Sequence, residues 1–196
     1  MLWISLAMGA EPVEAAWEMV KETEACSFAR GPSAELVASC LWPEVDPDRL
    51  DALLSDFAGA QDIWDSVASS TIAGEPGQQG TPVLHVHSIP GLSDREVLLL
   101  WSRVEEDGAV RYAWTRSPEQ PRPREGRVNV PRDEGYYLVR TEGSGTSLEA
   151  RFVYEPGGSI PDWVLRATQA ASAGAMLDEL REAASQPVDP EALPAP

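Results

Sequence analysis

His85 and His87 are the only histidines in the chain, and they stand two residues apart in a strand-like run. Alternation along a strand would point both imidazoles to one face. An HxH pair can begin a metal site, but a closed zinc site takes about four ligands. Cys26 and Cys40 are remote in sequence, and no third candidate has recognisable spacing. The expectation is therefore no metal and no cofactor, with the histidines giving polar contacts to a ligand hydroxyl or to a neighbouring strand. A carboxylate beside either histidine could act as a general base, yet no spacing singles one out. There is no GxSxG, no phosphate-cradling glycine loop and no activating motif beside either cysteine, so no catalytic residue is assigned.

The cysteines carry a geometric argument of their own. If the turn at Gly31-Pro32-Ser33 pairs Gly31 with Glu35, antiparallel register sets Cys26 opposite Cys40. A cross-strand disulfide in an oxidising compartment and a pair of buried, inert thiols are both consistent with that placement.

The formal net charge of −17 excludes nucleic acid as a partner, since such a surface repels a phosphate backbone. It also disfavours stable adhesion to anionic membranes, while brief contact through a local patch stays open. Arg111, Arg116, Arg122, Arg124, Arg127 and Arg132 lie close together in sequence. Pro118, Pro121 and Pro123 interrupt them, so they read as a solvated loop or as a contact for anionic headgroups. No stretch approaches the ~20 apolar residues of a membrane span. The apolar run Leu2–Ala10 is either a weak signal segment or the start of a helix, which leaves the compartment of this soluble chain open.

Several elements must position the histidines. Val13, Ala16, Trp17 and Val20 have helical spacing, which predicts a helix over about 12–23. Strands follow at Glu24–Arg30 and Glu35–Trp42. Asp46-Pro47 starts a helix with Asp as N-cap and Pro at the first helical position, and Leu50, Leu53, Leu54 and Phe57 form its apolar face. Gly59 interrupts, and a second short helix ends near Trp64. The pattern then turns to β, with strands at Val67–Ala73, Pro82–Ile89, Glu96–Glu105, Ala109–Ser117, Arg127–Val130, Tyr136–Glu142 and Ser147–Tyr154. Ser159 begins a capping-box-like sequence, and a long helix runs on to about Ala184. Pro187 and Pro190 end it, leaving a Pro-rich tail over 185–196. This order is α+β, one domain over 12–184 behind an N-terminal segment of 1–11.

Two local motifs point further. Tyr154-Glu155-Pro156-Gly157-Gly158-Ser159-Ile160-Pro161-Asp162-Trp163 resembles the DPGGxIPxW junction of START domains, the steroidogenic acute regulatory protein-related lipid-transfer domains. Ser93-Asp94-Arg95-Glu96 resembles that family's entry into a central strand, and Trp64 stands where the family commonly has a Trp. The resemblance covers roughly residues 12–184 and is closest to a bacterial-type member. It implies a helix-grip fold, a curved antiparallel sheet wrapped around the C-terminal helix, with a tunnel between them for one lipid or sterol. Glu155 replaces the usual Asp. Trp101 falls at or near the position of a buried Arg in some members, which argues against recognition of a charged headgroup.

On that reading the chain is a monomeric carrier or sensor of a hydrophobic ligand that touches membranes transiently and catalyses no reaction. Helix-grip folds also include polyketide cyclases and aromatases, so an enzyme of that type is the alternative, and an interaction module with a collapsed cavity is a third reading. The expected ligand-binding residues are His85, His87, Leu99, Trp101, Arg103, Tyr112, Trp114, Phe152 and Tyr154 from the sheet. Trp163, Val164, Ala167 and Ala171 would join them from the helix. Its small residues, Ala167, Ala170, Ala171, Ala173, Gly174 and Ala175, either leave room for a cavity or are filled by the sheet's large side chains. Ile89 and Leu92, at the tip joining two strands, read as a lid or as an ordinary tucked turn.

Overall fold

Alternating burial along the β segments decides the architecture, because each strand turns one side to a shared apolar face. In the computed structural model, which describes residues 17–32 and 35–186, ten strands form one sheet. They are β1 (Glu18–Glu22), β2 (Cys26–Arg30), β3 (Leu36–Trp42), β4 (Val67–Ile72), β5 (Thr81–His87), β6 (Arg95–Glu106), β7 (Ala109–Arg116), β8 (Val128–Asn129), β9 (Arg132–Glu142) and β10 (Gly145–Glu155). Their spatial order is β1-β2-β3-β10-β9-β7-β6-β5-β4, with β8 beside β6. All the pairs are antiparallel except β6 with β8. Helices α1 (Pro47–Ser55) and α2 (Ala60–Ile63) sit between β3 and β4, and α3 (Asp162–Ser185) follows β10. The α+β class and the curved sheet with a C-terminal helix are as expected.

Asp46 caps α1 by accepting the Asp48 N–H, with Pro47 just inside, as its sequence required. Trp64 follows α2 and donates its indole N–H to the Met176 carbonyl of α3 at 3.0 Å. That contact ties the C-terminal half of α3 to the two short helices. Ala173, Gly174, Leu177, Leu180 and Ala184 of that half are buried. The spacing of three and four makes one continuous inward stripe. At Gly174 an added Cβ would run into the end of the Lys21 side chain from β1 and meet Phe28 of β2 in ordinary contact at 3.7 Å, so the helix lies over these two strands. The N-terminal half differs: Trp163, Ala167 and Ala171 are exposed, and Val164, Leu165 and Ala170 are half-buried.

Three expectations need correction, and a fourth, left open, is decided. Glu18–Glu22 is an edge strand paired with β2 and bulged between Met19 and Lys21, not the end of a helix. A short apolar run fits either period, and the partner strand decides. The rest of that expected helix, 12–16, lies outside the described residues, as do the segment before it and the tail beyond 186. Second, Ser159 does not cap α3. Gly157 and Gly158 both take positive φ, 69° and 74°, so the turn runs on and the helix begins at Asp162 behind an extended Pro161. Third, β9 begins at Arg132 rather than Tyr136. Gly135 lies inside the strand, where an ideal Cβ would lie 2.6 Å from the Trp114 ring, so its small size is what admits the strand. Fourth, the cysteine alternatives resolve: Cys26 stands opposite Cys40 and the two form a disulfide rather than separate thiols. The Gly31 N–H donates to the Glu35 carbonyl at 2.8 Å, the pairing on which that register depended.

Candidate functional site

Residues of one parity on β5, β6, β7, β9 and β10 build the site. Register sets His87 beside Arg95, His85 beside Val97 and Val83 beside Leu99. The next pairs are Trp101 with Trp114, Trp114 with Gly135, and Phe152 with Gly135 and Tyr154 with Asp133. Curvature of the sheet then brings its two halves together. The His87 ring lies 5.9 Å from Tyr154 across the concave face, although their strands are not neighbours.

Aromatic rings fill the centre of this face. Trp101 and Trp114 stack at 4.9 Å, Phe57 covers Trp101 at 5.5 Å, and Tyr137 lies 5.2 Å from Trp114 and 5.9 Å from Phe152. His85 sits 6.1 Å from Trp101 and 5.7 Å from His87. Such contacts add to the hydrophobic gain of burying large rings.

At the Arg95 end of β6 the face becomes polar. Trp114 donates its indole N–H to Asp133 at 2.8 Å, and the other Asp133 oxygen lies 3.6 Å from His87 Nε2. Arg95 is buried, held at one terminal nitrogen by the Ser93 carbonyl. Of the ten buried side-chain polar atoms without a hydrogen-bond partner among the described residues, His85 Nε2, His87 Nε2, Arg95 Nε and Tyr154 Oη fall here, and Trp101 Nε1 lies among the adjoining rings. Buried polar groups are normally satisfied, so this concentration in one cluster marks it out from the rest of the core. Burial, and then the charge His87 would carry, push the His85 pKa down to about 3, against an opposing pull from Asp133. His85 is therefore neutral. Burial likewise raises the Tyr154 phenol, with Asp133 adding to the effect and Arg95 opposing it.

Sequence reasoning brought His85, His87, Leu99, Trp101, Trp114, Phe152 and Tyr154 to one face. It missed Asp133, Tyr137, Phe57 and the inward-facing Arg95. Asp133 was hidden because β9 was read too short, and the parity of Arg95 with Val97, Leu99 and Trp101 was the available signal for the last.

Other expected members do not join the cluster. Arg103 has the right parity but lies beyond the core, where Asp51 and Glu105 engage its guanidinium on the surface. Tyr112 is fully buried and donates its hydroxyl to Asp51 of α1, which fixes it as a strut between sheet and helix. Trp163 is 73% exposed, and Ala167 and Ala171 lie on the outer side of α3, away from its buried stripe, although this half also meets β2 where Arg30 donates to the Arg166 carbonyl. Val164 is half-buried. Leu92 is exposed and Ile89 half-buried at the β5–β6 tip.

The described residues form a hollow of ≈300 Å³ along 22–27 and 39–41, and one of ≈340 Å³ between α1, α2 and the end of α3. Neither is lined by a residue expected to bind ligand, because the rings of the concave face pack on one another. Among the described residues no group of three His, Cys, Asp or Glu is placed to hold a metal ion. The arginine-rich segment is largely spent on internal contacts. Arg111 pairs with Glu106, Arg127 with Glu96 and Arg132 with Glu134, while Arg116 donates to the Val130 carbonyl.

No protein-family model matches the sequence, and no curated relative does. Solved structures do. A STAR-related lipid transfer protein from Xanthomonas axonopodis superposes with a TM-score of 0.76 at 21% identity, over 87% of this chain and 99% of that one. The chain has the START fold. Human StAR-related lipid transfer protein 5 superposes at 0.77 with 16% identity, over 88% of each chain. The Zhui aromatase/cyclase from Streptomyces aligns over 81% of this START-fold chain and 97% of its own, at TM-score 0.51 and 17% identity.

Proposed function

We propose that this START-fold chain is a non-catalytic carrier or sensor that holds one hydrophobic ligand between the aromatic concave face and the N-terminal half of α3. The observation that carries the reading is the cluster of buried, unpartnered polar atoms set among aromatic rings. A core built for stability alone would satisfy or omit them, since each unpaired buried group costs about 1–3 kcal/mol. A ligand whose body lies on the rings and whose head meets His85, His87, Asp133 and Tyr154 would offset that cost. The uneven burial of α3 fits the same picture. The C-terminal half anchors the helix, and the loosely packed N-terminal half can lift to admit a ligand. The lipid-transfer proteins that share the fold support the reading by likeness of architecture.

Native mass spectrometry of protein purified from its own host, with lipid extraction, tests this. One hydrophobic molecule per chain, lost in a Trp101→Ala variant that still folds, is the expected result. A second reading, a cyclase or aromatase, draws on the contact of His87 with Asp133, a pair able to pass a proton, and on the aromatase/cyclase neighbour. Turnover of an added polyketide, abolished by His87→Gln, would favour it over the carrier.

A further inference from the structure

The polar end of this face carries information about the ligand's head. Asp133 is buried, yet its side chain and that of His87 keep 10% and 14% exposure, so the cluster opens toward solvent at one side. Trp114 holds one carboxylate oxygen of Asp133 and leaves the other directed at His87. Arg95, the nearby buried cation, makes no ion pair among the described residues, and its Nε has no partner. Gly158 brings the backbone over the guanidinium, where an added Cβ would sit 3.6 Å away. One buried anion and one buried cation thus share the cluster without touching, and neutral His85 adds no charge.

We propose that Asp133, acting with His87 and Tyr154, selects the ligand's head, accepting an uncharged hydroxyl and turning away a phosphate. This rests on the carrier reading above. A hydroxyl adds no net charge, donates to the free oxygen of Asp133, and accepts from the unpartnered phenol of Tyr154, which stands opposite Asp133 in register. A phosphate brings at least one further negative charge beside a carboxylate in a poorly solvated site. A single arginine cannot offset both.

Two probes with the same tail separate the possibilities: a pyrene-labelled long-chain alcohol and the matching alkyl phosphate, each titrated against the intact protein by fluorescence. The alcohol should bind at least ~10-fold more tightly than the phosphate, the scale of one uncompensated charge contact. Asp133→Asn keeps an acceptor for Trp114 but removes the charge, so the phosphate should gain and the preference fall to within ~3-fold. Tyr154→Phe should weaken the alcohol several-fold and leave the phosphate nearly unchanged, a check should the Asn variant fold poorly. Tighter binding of the phosphate by the parent protein would overturn the head-selection proposal while leaving the carrier reading standing. Binding of neither probe would overturn both.

Discussion

Trp114 on β7 donates its indole N–H to Asp133 on β9 at 2.8 Å, and this bond fixes where that buried carboxylate can point. Both partners depend on the residue between them. Gly135 lies opposite Trp114 on one side and Phe152 on the other, and its missing side chain is the space the indole occupies.

Gly135→Ala should therefore cost roughly 1–3 kcal/mol, the usual penalty for overpacking. The new methyl would meet the Trp114 ring and the Arg151 carbonyl. Near-ultraviolet circular dichroism should change with the melting temperature, because the indole must move. An unaltered spectrum and melting curve would show that the ring is not held there.

The elements were legible because the alternation of the strands and the turn residues between them agree. Leu148, Ala150 and Phe152 of β10 are buried and Tyr154 is half-buried, as period-two spacing requires. The cluster was only partly legible. His85, His87 and Trp101 announce themselves by type and parity, whereas Asp133 gains its role from the part of β9 that precedes the expected start at Tyr136. Ala167 and Ala171 misled for the opposite reason. Their size fits a roof over a cavity, but which side of a helix turns to the sheet depends on anchors elsewhere, here Trp64 and the stripe from Ala173 to Ala184.

That division of α3 gives a paired test. Ala173→Leu places a larger side chain in a buried position and should cost about 1–3 kcal/mol. Ala167→Leu sits on an exposed surface and should change stability by no more than ~0.5 kcal/mol. Equal losses in chemical denaturation would mean that the whole helix is docked.

His85 should give stability an acid limb. Its folded pKa, about 3, lies below the ordinary 6.5, so on acidification the unfolded chain takes up the proton first. Stability is then fully present above 6.5 and falls as pH drops through the window toward 3, at up to roughly 1.4 kcal/mol per pH unit for this one group. His87 and Asp133 face His85 and contribute opposing effects, so the informative quantity is the difference between the parent and His85→Gln. That difference should shrink as pH falls from 7 to 4. A constant difference would mean His85 titrates normally.

The Cys26–Cys40 bridge closes a short loop, with a sequence separation of 14. Cys40→Ser should lower stability by about 3 kcal/mol on the chain-entropy account. Dithiothreitol should lower the melting temperature of the parent and leave the variant unchanged. A parent protein indifferent to reductant would show that the strands hold the hairpin without the bond.

Where the ligand lies is tested most directly by photolabelling with a diazirine-bearing long-chain alcohol, followed by peptide mapping. The account predicts adducts on the peptides carrying Trp101, Trp114 and Tyr154 and on the N-terminal half of α3, around 163–170. Labelling confined to the surface hollows at 22–27 and 39–41, or between α1, α2 and the end of α3, would contradict it.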